Sequence, residues 1–168
     1  MRNAKLRHVL AVSLLACVAT AHAAPPEYKT IHMEIDVARP ASVVWSRIGG
    51  YCDISKWIPT LDCKMTSGNG DVGSVRELAG GRVVEILIGK TDLSYGYTQP
   101  AKPGEFYNLY HGFMEAKPVT DKTSKILYTL VYDVSDKPDQ AARDADATRR
   151  RTTFETALKK MKELAEAP

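Results

Sequence analysis

The run SKILYTLVYDV (residues 124–134) leads straight into SDKPDQAARDADATRRRTTFETALKKMKELAEA (residues 135–167), a strand followed by a long helix. In the first run Ile126, Tyr128, Leu130 and Tyr132 recur at every second residue, the period of a strand that turns one side to a core. In the second, Ser135, Asp136 and Pro138 form a helix-start cluster. Phe154, Leu158, Met161 and Ala165 then fall at i, i+4, i+7 and i+11, one continuous apolar stripe. The early part of this helix is polar. Only the alanines at 141, 142, 145 and 147 face anything, and Arg149-Arg150-Arg151 reads as a solvated helix face.

Upstream of this pair the signals are those of strands separated by turns: residues 63–67, 74–78, 83–88, 93–99 and 105–119, with Asn69-Gly70-Asp71 and Gly80-Gly81 as punctuation. Further back, residues 30–37 alternate Ile31, Met33, Ile35 and Val37 against His32, Glu34 and Asp36, a half-buried strand. Pro40 opens a short helix with Val43, Val44 and Ile48 on one side, and Gly49-Gly50 stops it. Residues 53–57 make one further turn before Pro59. The predicted order is strand, two short helices, six strands and one long helix. A meander of antiparallel strands can bury one face under that last helix, an α+β architecture.

The first 23 residues read as an export signal. Arg2, Lys5 and Arg7 form a positive start, an apolar stretch follows from Val9, and Ala21-His22-Ala23 carries small residues where a signal peptidase cuts. The expected domains are therefore residues 1–23, removed after Ala23, and residues 24–168, in the periplasm or secreted. The alternative is a loose lipobox, Leu14-Leu15-Ala16-Cys17, which would leave a lipoprotein anchored at Cys17. Removing Arg2, Lys5 and Arg7 leaves 20 Lys+Arg against 20 Asp+Glu, so the apparent basicity belongs to the leader. A neutral domain gives no electrostatic case for nucleic acid. The apolar stretch is too short for a good membrane span.

Cys52 and Cys63 remain after cleavage. In an oxidising compartment an even pair close in sequence suggests a disulfide, in a reducing one two packed thiols. Zinc would need His32 and His111 as well, four ligands from four separate places, and no metal is expected. No Gly-rich phosphate loop or other cofactor motif is present, so no cofactor is expected.

Several motifs resemble the START-like superfamily called SRPBCC, in particular its polyketide cyclase/dehydrase and lipid transport family. The carriers are Ile35-Asp36-Val37, Pro40 and Val44-Trp45 at the first strand and helix, and Trp57-Ile58-Pro59 with Cys63 after it. The run from Gly73 to Leu78, then Glu85-Ile86-Leu87, match its central strands, and residues 128–134 its last one. The resemblance spans about residues 30–165. It implies a helix-grip fold, a curved antiparallel sheet of about seven strands under a long C-terminal helix, with a ligand cavity between them. It departs from hormone-receptor relatives in the short connection Ala79-Gly80-Gly81-Arg82, where they carry a longer lid. Ile58 stands where many relatives have a histidine, which makes the entrance more apolar.

Carrying the family's ligand-facing positions across one by one gives Trp57, Glu85, Tyr97, Tyr110, Tyr128 and Phe154, with Leu158 one turn on. If Glu85 points inward, Val83 and Leu87 share its face. Its carboxylate is then either a cross-strand partner of Arg76, a ligand anchor or a general acid or base. The resemblance implies an exported binder or carrier of a small hydrophobic molecule of lipid, polyketide or aromatic type. A cyclase or dehydrase acting in the same cavity is the alternative. With no inward histidine and no Ser-His-Asp set, no catalytic residue is assigned and a non-enzyme is favoured. A purely structural module would fill the cavity with side chains.

Overall fold

The computed structural model describes residues 26–101 and 109–168. The expected signal peptide and cleavage site and Cys17 lie outside the described residues, as does the start of the strand expected from residue 105. The strands are β1 (Tyr28–Val37), β2 (Cys63–Ser67), β3 (Val75–Leu78), β4 (Val83–Thr91), β5 (Ser94–Thr98), β6 (Tyr110–Pro118) and β7 (Ser124–Asp133). They form one antiparallel sheet in the order β1-β7-β6-β5-β4-β3-β2. The helices are α1 (Ala41–Ile48), α2 (Ile54–Trp57) and α3 (Gln140–Glu166). This is the expected α+β helix-grip arrangement: β2 to β7 run as a meander, and β1 closes onto β7 with Tyr28 opposite Asp133 and Val37 opposite Ser124.

Alternation places the core. Ile31, Met33, Leu87, Tyr95, Tyr97, Met114, Ala116, Ile126, Tyr128, Leu130 and Tyr132 are buried on the inner face, and Ile88 and Phe113 are exposed on the outer one. Helices α1 and α3 pack on each other, and α3 lies against β1 and β7. Leu158, Met161 and Ala165 are buried as the stripe requires. Asp139 caps α3, its carboxylate accepting from the Ala142 N–H at 2.8 Å. At the other end Arg47 Nη1 donates to the Leu164 and Ala165 carbonyls, each at 3.2 Å, and so satisfies groups the helix leaves open. That contact also pins α3 to α1.

Cys52, between α1 and α2, and Cys63, the first residue of β2, form a disulfide with Cα atoms 5.5 Å apart. Among the described residues no helix is long and apolar enough to cross a membrane.

Candidate functional site

Tyrosines recur along the inner face, and the sheet register explains how the rings fit. Tyr97 on β5 stands opposite Gly112 on β6. A Cβ at Gly112 would overlap the Tyr97 ring, so the missing side chain is what lets that ring lie flat across β6. Tyr97 and Tyr128 then meet hydroxyl to hydroxyl at 2.8 Å. Tyr128 has Phe154 of α3 at 4.6 Å between ring centres. On its other side the Trp57 ring stands edge-on at 6.3 Å. Tyr110 continues the row, 6.4 Å from Tyr97 and 6.2 Å from Tyr132. These spacings and tilts are those of favourable aromatic pairs.

The structure therefore brings Trp57, Tyr97, Tyr110, Tyr128 and Phe154 into one continuous wall. Leu158 is buried one turn beyond Phe154, in the core shared with Met161. Trp57, Tyr97 and Tyr128 are 2%, 1% and 0% exposed, so the rings at the deep end close on one another. Tyr110 and Phe154 are only half-buried, the more exposed end of the row.

Glu85 sits at the deep end, directly opposite Arg76 in the β3–β4 register. Its Oε2 accepts from Arg76 Nε at 2.8 Å and Nη2 at 2.6 Å, and its Oε1 from Gln99 Nε2 at 3.1 Å. Of the alternatives left open by the sequence, the cross-strand ion pair is thus formed. Arg76 is completely buried. Its Nη1 donates to the Tyr51 carbonyl, and its guanidinium lies 4.2 Å from the centre of the Tyr51 ring and 5.2 Å from that of Tyr97. Burial alone would lower the Arg76 pKa, but Tyr95 and Glu85 beside it hold it above the ordinary arginine value, so the charge stays. Burial pushes the Tyr97 and Tyr128 phenols well above their usual range, and it pushes Tyr110 up to about 12 against the opposing charge of Arg150. All three stay protonated at neutral pH. In the Tyr97–Tyr128 pair one hydroxyl donates to the other, and the acceptor keeps a proton that it can offer to a carbonyl.

One expectation is corrected. Arg150 does not lie on a solvated face, and the early half of α3 buries more than alanine. Asp146, Arg150, Phe154 and Leu158 follow one another four residues apart, so the stripe facing the sheet begins charged and ends apolar. Asp146 is 9% exposed. Its Oδ2 accepts from Arg150 Nε at 2.7 Å, and the Arg150 guanidinium lies 4.4 Å from the Tyr132 ring centre and 5.2 Å from that of Tyr110. Burial works against the Asp146 charge, yet Arg150 and Arg149 hold its pKa below the ordinary carboxylate range. The i, i+4 spacing of Asp146 and Arg150 with Phe154 was the available signal. An apolar-only count of the stripe passes over it.

Both histidines of the described residues lie on the outer face: His32 is hydrogen-bonded to Thr129 Oγ1, and His111 alternates with Tyr110. Among the described residues no cluster of His, Cys, Asp or Glu fits a metal ion. A groove of about 420 Å³ crosses the outer face over Gly89 and Gly96, beside Ile88, Phe113 and Leu127. Its charged lining residues, Lys90 and Glu115, are exposed surface groups.

Comparison with known proteins agrees with this geometry. The family described as polyketide cyclase / dehydrase and lipid transport matches residues 29–166. No curated protein matches by sequence. Among solved structures, a protein from Thermobifida fusca is similar at 22% identity and a TM-score of 0.67, over 81% of this chain and 92% of that one. The Zhui aromatase/cyclase from Streptomyces sp. R1128 is similar at 17% identity and a TM-score of 0.64, over 83% and 94%. A truncated norcoclaurine synthase from Thalictrum flavum is similar at 16% identity and a TM-score of 0.63, over 85% and 96%.

Proposed function

The chain belongs to the polyketide cyclase / dehydrase and lipid transport family, and from that premise we propose that it is an exported binder of a small, mainly apolar molecule held between the sheet and α3. The observation that carries this reading is the polar content of the inner wall. A completely buried Arg76–Glu85 pair and a buried Tyr97–Tyr128 hydroxyl pair stand inside an otherwise aromatic lining. For packing alone, apolar residues of similar volume would serve as well or better. A few placed polar groups in an apolar wall are what a ligand site needs to orient its occupant. Trp57 Nε1 is buried without a partner, a further donor on the same wall.

The ligand enters past Tyr110 and Phe154, the half-buried members, and displaces ring–ring contacts deeper in. Trp57, Tyr97, Tyr128 and Leu158 supply apolar surface, and Glu85 bounds the polar end through the oxygen that Gln99 holds. The Cys52–Cys63 bridge supports export to an oxidising compartment. A ring-closing activity would need a base aimed at the ligand. The inner phenols are held protonated by burial and Glu85 is engaged by Arg76, which favours a binder over a cyclase.

The test is native mass spectrometry of protein taken from its own host, followed by titration with the neutral apolar dye Nile red. A co-purified small molecule, or saturable one-to-one dye binding that the extracted molecule displaces, is expected. Protein with no companion mass and no saturable dye binding would sink the reading and leave a structural module.

A further inference from the structure

The half-buried end of the row, the mouth by which the reading above has a ligand enter, carries a positive charge that this reading does not use. Asp146 receives two guanidinium groups, Arg150 at Oδ2 and Arg149 at Oδ1. One carboxylate is thus shared between two cations, and the cluster keeps one positive charge. Among the described residues no second carboxylate pairs with Arg150. The Arg149 side chain is 67% exposed and solvent screens it, whereas that of Arg150 is 24% exposed and lies on the Tyr132 and Tyr110 rings.

Under that guanidinium, Tyr132 is 1% exposed and its hydroxyl is buried with no partner. A buried hydroxyl left unpaired is costly. With a partly desolvated guanidinium over its ring, it is a second unused donor at this end, and both groups are of the kind that bind oxygen anions. Phe154, one turn further along α3, and Tyr110 supply apolar surface at the same mouth.

We propose that the mouth recognises the carboxylate head of an amphipathic ligand, held by Arg150 and the Tyr132 hydroxyl, while the apolar body lies along Phe154 and Tyr110 toward Tyr128. A single surplus charge matches a monoanion and leaves a phosphate monoester dianion unbalanced. This assignment rests on the reading that a ligand occupies the space between sheet and α3.

The experiment is calorimetric titration of the full mature chain with decanoate and with 1-decanol, which share a tail length and differ in the head. Wild type is expected to prefer decanoate by about tenfold, the size of one charge-assisted hydrogen bond. Arg150→Gln removes that preference, weakening decanoate far more than decanol. Tyr132→Phe, which deletes only an unpaired hydroxyl, weakens decanoate severalfold and decides the matter if Arg150→Gln does not fold. Arg149→Gln removes the solvent-screened cation of the cluster and lowers the preference less than Arg150→Gln does. Equal affinity for the two ligands in wild type, or equal loss of preference in the Arg149 and Arg150 variants, overturns the proposal. Failure of both ligands with Nile red still bound overturns it and leaves the binder standing. Failure of all three defeats both.

Discussion

Two arginines lie on tyrosine rings on the same face of the sheet, and they are employed differently. At the deep end Arg76 is completely buried, pinned by two bonds to Glu85 and one to the Tyr51 carbonyl, with the Tyr51 and Tyr97 rings against it. At the mouth Arg150 has one bond to Asp146, a partner shared with Arg149, and two rings beneath it. The chemistry is the same, a cation, a carboxylate and tyrosines. The donors left over differ. Arg76 has every nitrogen engaged and serves to hold β3, β4 and the turn after α1 together. Among the described residues Arg150 is held by one carboxylate bond, and in the proposal above its remaining donors meet the ligand head.

The largest effect separates the two directly. Glu85→Gln leaves Arg76 charged, buried and without its counter-ion, and is expected to cost about 3–5 kcal/mol of unfolding free energy. Asp146→Asn, made at the half-exposed end where water reaches Arg150, is expected to cost about 1–2 kcal/mol. Urea denaturation of both variants measures the two costs on one scale. Equal losses would mean that the two clusters are structural to the same degree, and the distinction between them would fail.

The deep end has a second fastening. The disulfide joins Cys52, adjacent to the Tyr51 carbonyl that Arg76 holds, to the first residue of β2, and it encloses Trp57. Closing a loop of this size contributes on the order of 2–3 kcal/mol. Reduction should therefore lower the melting temperature. It should speed amide exchange around α1, α2 and β2, and leave the half of α3 around Arg150 unaltered. Thiol labelling of denatured, unreduced protein checks the premise, and two free thiols would remove it.

Much of this was legible beforehand, for physical reasons that vary along the chain. Strand alternation fixes which residues share a face within one strand, so placing Glu85 inward also places Leu87, and it groups Tyr95 with Tyr97 and Tyr128 with Tyr132; the structure has all of them buried on the inner face. The apolar stripe from Phe154 to Ala165 identified the buried side of α3 for the same reason. The cysteine pair followed from count and compartment. What periodicity could not reveal was the continuation of that stripe through Arg150 to Asp146, because hydrophobicity does not register a charged residue that is buried by pairing. Nor could it show how the rings stack. Tyr97 crosses β6 only because Gly112 faces it, a cross-strand register that single-strand reading does not contain.

The smallest effect at neutral pH is that of the phenols, and it grows on the alkaline side. An unfolded tyrosine ionises near pH 10. Tyr97 and Tyr128 are held well above that by burial, and Tyr110 at about 12. Because the folded values are the higher ones, the protonated phenol is what the fold favours. The contribution is fully present below about pH 10 and is lost as pH rises, because the unfolded chain gives up protons that the native one keeps. Stability should be flat from neutrality to about pH 10 and then fall, each retained proton adding about 1.4 kcal/mol per pH unit to the slope. The two ends can be separated on that slope. Tyr110 at the mouth steepens it only between about 10 and 12, since beyond that its own phenol ionises in the folded state. Tyr97, held well above the ordinary value by burial, steepens the decline as well. Tyr110→Phe should thus flatten the decline between about pH 10 and 12, and Tyr97→Phe should flatten it from about pH 10 upward, as followed by chemical denaturation across alkaline buffers with phenolate absorbance as the second signal. Stability that stays flat or rises above pH 10, or a decline that neither variant alters, would mean that the fold does not hold these phenols protonated.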